Sequence, residues 1–456
     1  MIKMVTEEEL RSESIWKLFQ KFVFPAVMGI IVAGVQTIID GYFIGNGVGS
    51  QGLAGVTLAF PVVICIVAVA VMMGMGSSSL VALELGRSNK YKAGKIISNV
   101  FPLVFVVAAA ITLAGLAFAE PLLGLFDAPA VVQDMADGYL RVILMGSIFF
   151  LLAITLDPLV RNDGHPMIAM NIMVISVLIN LVLDYIFVMR LDMGVTGAAI
   201  ATVIAFAVSA VRLSLHFFSN KAGLRVRFGN MMLEPRTVQR ILEAGLPSFA
   251  MQMSVSILFF AYNFVLLRYG SDADVSAYGI IGYSFSIFYM LFEGIAVGVQ
   301  PIIGFNYGAG LYGRVCKTLR LAMTACVSVG ALGFLVFFMF PGKIVQFFTS
   351  GDPLLLEVTV GGMRIFVLSL IVQGVVVVNA TYFQSINRVR SALFIHLGKI
   401  FIFLLPLLFT LPMVFGLKGV WLATPAADYL MFFIVMVMLT EELKELQGEN
   451  KVCSYK

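Results

Sequence analysis

Apolar residues run along this chain in long stretches broken by short polar connections. About 20 consecutive apolar residues suffice to cross a bilayer as a helix. Twelve such runs can be marked, at 15–46, 51–83, 93–119, 133–158, 166–189, 194–218, 237–267, 275–306, 315–340, 354–384, 391–412 and 417–440. Open sheets cannot span lipid, because their edge groups would stay unsatisfied there. The pattern therefore predicts an all-α integral membrane protein with twelve transmembrane helices. Composition agrees: of 456 residues, 60% are hydrophobic and 12% charged, against roughly 25% charged in soluble domains. A net charge of +4 gives no reason to expect a nucleic-acid partner, since most Lys and Arg sit in the connections.

Those basic residues alternate in density. The N-terminal tail holds Lys3, Arg11, Lys17 and Lys21; the second connection Arg87, Lys90, Lys92 and Lys95; the sixth Lys221, Arg225, Arg227, Arg236 and Arg240; the eighth Arg314, Lys317 and Arg320. The odd connections hold only Arg190, Arg268, Lys343 and Lys418, with acids at Glu120, Asp127, Asp134 and Asp137. Basic loops stay in the cytoplasm, so both termini are expected there. The charged start of the chain runs into a span too long for a signal-peptide core, and no cleavable signal is expected. Thr6 and Glu9 have the spacing of a capping box ahead of the first span. Cys65, Cys316, Cys326 and Cys453 lack metal-ligand spacing, and no disulfide is expected.

One long polar stretch, 219–236, falls near the middle, and the sequence repeats across it. Pro25 and Pro247, Gly76 and Gly298, Gly86 and Gly308, and Lys95 and Lys317 are each 222 residues apart, as are the segments starting at Gly194 and Gly416. This predicts two pseudo-symmetric six-helix bundles: residues 1–220 and 237–456, the second with a cytoplasmic tail, joined by a cytoplasmic linker at 221–236. An even number of spans per repeat gives both the same orientation, with substrate expected between them.

Polar residues inside the spans carry the candidate chemistry. Asp40 lies in the first span, which also contains Pro25. A carboxylate at a helix centre costs roughly 2.5–3.5 kcal/mol on insertion scales, and proline removes a backbone donor and bends the helix. Pro25 is therefore a candidate hinge. At 1.5 Å per residue, Asp40, Tyr139, Asn180, Asp184 and Thr202 fall at one depth of the first bundle. Two carboxylates close together in low dielectric cannot both ionise cheaply, so the set is expected to take up a proton or a small cation such as Na⁺. The competing readings are that Asp40 has reached the headgroups and that Asp184 pairs with Arg190. Gln36, one turn before Asp40, is a candidate cavity residue. Glu293 and Asp428, at mid-depth in the second bundle, are candidates for contact with a cationic substrate or else acids satisfied locally. Asp157 with Arg161, and Glu84 with Arg87, have the spacing of ion pairs. His165, His216 and His396 read as interfacial. No phosphate-binding loop, hydrolytic triad, metal or haem motif is found, so neither an enzyme nor direct use of ATP is expected.

These residues resemble the multidrug and toxic compound extrusion (MATE) family of exporters. The likeness rests on a proline and then an aspartate in the first span, on VQPIIGFNYGAG (Val299 to Gly310), and on NLVLDYIF followed by GVTGAAIAT. It covers nearly the whole chain. It implies a multi-pass protein of the bacterial inner membrane, expected as a monomer, that exports amphipathic and often cationic drugs or toxins. The implied energy source is entry of H⁺ or Na⁺, with no other cofactor. It further implies cation coupling at Asp40, Tyr139, Asn180, Asp184 and Thr202, and places Gln36 and Met173 near the drug cavity. The chain departs from the branch with coupling acids in the seventh and tenth spans, where it has Tyr262, Asn263, Gln373 and Asn379. The competing function, from the same superfamily, is a flippase for lipid-linked saccharides. A strongly cationic cavity would favour it, yet few basic residues lie inside the spans beyond Arg141, Arg212, Arg364 and Lys399.

Overall fold

A computed structural model describes residues 4–124, 128–220, 222–226, 229, 231–348 and 352–449, the side chains of 447–449 excepted. Lys3, Asp127, Lys221, Arg227 and Cys453, named above, lie outside the described residues.

The described chain is helical and all-α. A short α1 (Glu7–Ser12) leads in, with the expected reciprocal cap: the Glu9 amide donates to Thr6 Oγ1 and the Thr6 amide to the Glu9 carboxylate. The first half follows as α2 (Ile15–Gly47), α3 (Ser50–Gly86), α4 (Lys90–Leu123), α5 (Ala130–Met145), α6 (Ser147–Asn162), α7 (Pro166–Asp184) and α8 (Gly194–Phe218). The second half holds α9 (Pro235–Tyr269), α10 (Asp272–Gly308), α11 (Tyr312–Met339), α12 (Pro341–Phe348), α13 (Pro353–Phe366), α14 (Leu370–Ser385), α15 (Val389–Leu393), α16 (Leu405–Phe415) and α17 (Leu417–Glu449). Among the described residues, eleven helices or joined helices are long and apolar enough to span a membrane, or twelve with α5 and α6, bent by 56°, taken as one span. Gly146 sits at that bend, where a Cβ would come within 2.5 Å of the Val203 side chain.

The internal repeat is visible in backbone geometry as well as in residue identity. Ser88 and Gly310, 222 residues apart, both have positive φ, as do Gly194 and Gly416 at the same spacing; Gly164 and Asn387, 223 apart, do so as well. The turns that end corresponding helices thus share the left-handed backbone that glycine adopts without strain.

Packing divides the chain into two compact units, residues 1–13 with 28–253, and residues 14–27 with 254–456. Each holds helix crossings of unusual closeness. In the first unit α3 meets the start of α9. A Cβ on Gly76 would fall 2.1 Å from the Ile241 carbonyl oxygen, and one on Gly245 would fall 1.8 Å from that of Met72. In the second unit α10 meets the start of α2, where Cβ atoms on Gly298 and Gly294 would lie 2.6 and 2.7 Å from the Cα atoms of Val23 and Val27. Gly76 and Gly298 are repeat mates, and so are Val23 and Gly245.

Local ion pairs follow the sequence. Arg161 binds Asp157 at 2.8 Å and Arg87 binds Glu84 at 3.4 Å. One expectation is corrected: Cys316 is disulfide-bonded, because thiol pairing depends on distance in space, which spacing along the chain does not reveal. Cys65 and Cys326 are free.

Candidate functional site

Three helices of the first unit deliver acids and oxygens to one place. Asp40 comes from α2, Asn180 and Asp184 from the end of α7, and Thr202 from the third turn of α8. The Asp40 and Asp184 carboxyl groups face each other within hydrogen-bonding reach. Gln36, one turn earlier on α2, makes polar contact with Asp40. Asn180 Nδ2 approaches Thr202 Oγ1 at 3.5 Å, and Thr202 gives its own proton to the Ala198 carbonyl at 2.9 Å. Asp184 and Asn180 are 0% exposed. Directly after Asp184 the helix widens into a π-helical stretch, Tyr185–Arg190; such turns re-aim side chains and are frequent at functional sites.

Several of these oxygens have no donor. Asp40 Oδ1, both oxygens of Asp184 and Asn180 Oδ1 are buried and accept no hydrogen bond among the described residues. Buried acceptors are ordinarily paired, and an exception calls for an explanation such as a water, an ion or a proton. Two facing carboxyls without a basic partner need the same thing. The arrangement can therefore share a proton between the acids or enclose a small cation among carboxylate, amide and hydroxyl oxygens.

Apolar packing closes one side of the cluster. Ile44, one turn past Asp40, packs with Val188, one turn past Asp184, and with Ala198, one turn before Thr202. Tyr139 packs against this patch and lies within electrostatic reach of both acids. The competing reading of Asp184 does not fit, since Arg190 turns away to donate to the Tyr185 hydroxyl at 2.9 Å; the Asp40 carboxyl faces Asp184.

The other candidates are dispersed. Met173 Sδ would lie 3.1 Å from a Cβ on Gly29, which places it against α2, and Arg161 Nη2 shares that contact at 3.6 Å. Arg161 is 2% exposed, and its Nη1 has no acceptor among the described residues. Sequence reasoning takes Arg161 as a partner for Asp157; the structure also sets its buried guanidinium beside Gly29 of α2. Glu293, on α10 beside Tyr289, is half-buried and forms no ion pair among the described residues. Asp428, on α17, is 0% exposed and pairs with Lys399. Pro25 is buried within α2.

A second polar cluster has no counterpart in the sequence reading. Asp163, His165 and His216 bring ligand-type atoms within 4.8 Å of one another. His216 Nε2 lies 2.8 Å from Asp163 Oδ2, and the Asp163 carboxylate accepts from the amides of Gly223 and Leu224 at 3.1 and 2.6 Å. His165 and His216 are thus buried rather than interfacial, because a carboxylate waits inside to receive one of them. The cluster fastens the end of α8 and the start of the linker to the α6–α7 turn. Its only sequence signal is Asp163-Gly164-His165, which has no long-range spacing to mark it.

Buried acids without donors, held among eleven or twelve helices long and apolar enough to cross a membrane, define a membrane transporter rather than an enzyme. The chain belongs to the MatE family, whose sequence model matches residues 25–186 and 247–410. It is 24% identical over 426 residues to the multidrug export protein MepA of Staphylococcus haemolyticus (strain JCSC1435), covering 93% of each chain. Its structure resembles that of the MATE multidrug transporter DinF-BH, with a TM-score of 0.87 and 33% identity over 94% of this chain and 96% of that one. It shares its fold with an outward-facing multidrug resistance MATE family transporter of the MOP superfamily, with a TM-score of 0.92 and 22% identity over 98% and 100% of the two chains.

Proposed function

We propose that this chain is a cation-coupled exporter of amphipathic, often cationic organic compounds, and that it belongs to the branch whose coupling ion exchanges in the first half. It works in the bacterial inner membrane with both termini in the cytoplasm. Asp40 and Asp184 hold the coupling H⁺ or Na⁺, Asn180 and Thr202 supply further oxygens, and Tyr139 closes the site. Gln36 and Met173 line the path of the exported compound, with Glu293 and Asp428 as acids of the second half. The observation that supports this most is the facing acid pair, in which Asp40 Oδ1 and both Asp184 oxygens are buried with no hydrogen-bond partner among the described residues.

Uptake of a positive ion removes repulsion within the pair, so that α2 can repack about Pro25. Release of the ion on the other side restores the repulsion. Such a cycle exports only if each ligand binds one state better than the other. The same oxygens can serve H⁺ and Na⁺, so the test must separate them. Proteoliposomes containing the full chain are loaded with a cationic dye, and ΔpH or ΔNa⁺ is imposed alone. Dye efflux is expected under at least one gradient, falling to the level of empty vesicles in Asp40→Asn. Wild-type rates in Asp40→Asn would refute the coupling role.

A further inference from the structure

The second half carries different groups where the first has its acid pair. The 222-residue register places Tyr262 on Asp40 and Thr424 on Thr202. In the second unit the hydroxyls of Tyr262 and Thr424 are hydrogen-bonded to each other, and Tyr262 stacks on Tyr278 with ring centroids 4.6 Å apart. One turn past Thr424 lies Asp428, close enough to act on the Tyr262 hydroxyl electrostatically. Its partner is the Lys399 ammonium, delivered from the π-helical stretch Phe394–Leu404 of the neighbouring span. The Lys399 side chain is 19% exposed, and Asp428 Oδ2 accepts no hydrogen bond among the described residues.

The two halves therefore solve one electrostatic problem in two ways. The first sets the Asp40 and Asp184 carboxyls against each other, with no ion pair to either among the described residues. The second holds one carboxyl and brings its own positive charge on a side chain. A buried carboxylate stripped of its partner must recruit another positive charge or lose stability.

We propose that Lys399 is a tethered counter-ion, and that Asp428 is a latent cation site which Lys399 keeps filled. In the second half the ammonium takes the place that an exchangeable ion takes in the first. Coupling ions are then exchanged in one half of the chain only. This inference rests on reading Asp40 and Asp184 as the exchange site.

The test counts cations bound per chain in the purified full-length protein. Sodium is counted as bound ²²Na⁺, and protons by the infrared stretch of protonated carboxyl groups. Lys399→Met is expected to hold one more cation per chain than wild type. The gain should vanish in Lys399→Met/Asp428→Asn and be absent in Lys399→Arg. An unchanged count in Lys399→Met, or a gain that survives Asp428→Asn, would overturn the proposal. So would a Lys399→Met protein that fails to fold while the double variant folds, since the bare carboxylate would then have recruited nothing. The wild-type count tests the first-half site separately: zero there would refute that reading, whereas the difference between variants addresses Lys399 alone.

Discussion

Asp40 and Asp184, on helices far apart in sequence, turn their carboxyl groups toward each other inside the first unit, with no basic side chain paired to either among the described residues. Such an arrangement cannot hold two negative charges cheaply in low dielectric. In the proposed cycle this is what draws a positive ion to the pair, with the neighbouring oxygens tuning the affinity.

Asn180 is the neighbour whose removal reports this most cleanly. Its amide is fully buried, with Nδ2 toward Thr202 and Oδ1 without a donor among the described residues. One lost polar interaction is worth about 1 kcal/mol, or roughly fivefold in an equilibrium constant. Asn180→Ala should raise the half-saturating concentration of the coupling ion by about that factor while leaving dye binding in ion-depleted buffer unchanged. An unaltered ion dependence would exclude Asn180 from the site.

At the crossing of α3 and α9 the neighbours of Gly76 are backbone atoms, which cannot rotate away. Overpacking a tight contact costs about 1–3 kcal/mol. Gly76→Ala is expected to lower the melting temperature in detergent. Gly94→Ala, with nothing within 4 Å of the added methyl, should be neutral or stabilising, since glycine within a helix costs about 0.5–1 kcal/mol relative to alanine. Equal melting of the two variants would contradict the assigned contact.

Pro25 stands two residues before the point at which the chain passes from the second compact unit to the first, between Val27 and Met28. A proline within a helix removes one backbone hydrogen bond and eases bending there. Pro25→Ala should slow turnover in proteoliposomes with less effect on dye affinity. An unchanged rate would remove the hinge from the cycle.

Much of this was legible in the chain because membranes impose strong patterns. The spans, the repeat, the capping box at Thr6 and the pairing of Asp157 with Arg161 all follow from local periodicity or fixed spacing. Residue type and depth also picked out Asp40 and Asp184, because an acid in a span has few explanations. What the sequence hid depends on tertiary approach. The Asp163–His216 contact joins residues with no mutual spacing rule. Lys399 reaches Asp428 from a π-helical stretch that hydrophobic periodicity does not announce. The sequence repeat divides the chain at its linker, whereas packing groups residues 14–27 with 254–456, since close helix crossings ignore chain order.

The linker is held at Glu234, whose carboxylate accepts from Thr237 Oγ1 at 2.5 Å and lies 3.0 Å from Lys95 Nζ, while its amide donates to Asn99 Oδ1 at 2.8 Å. The Thr237 hydroxyl first, and then Lys95, hold this carboxyl below the ordinary glutamate range. A group depressed on folding stabilises at neutral pH, and its contribution is lost as pH falls through the depressed value. Protease cleavage in the linker should therefore increase on acidification, and Glu234→Gln should show the faster cleavage already at neutral pH. Cleavage independent of pH in wild type would contradict this.

Reciprocal linkage between exported compound and coupling ion is the core of the account, and it is measurable at equilibrium. The measurement is release of H⁺ or ²²Na⁺ from the purified protein when a cationic dye is added, in wild type, Asp40→Asn and Asp184→Asn. Wild type should release the ion as dye binds, and both variants should bind dye without releasing any. Release of the same size in either variant would contradict the claim that this acid pair carries the ion.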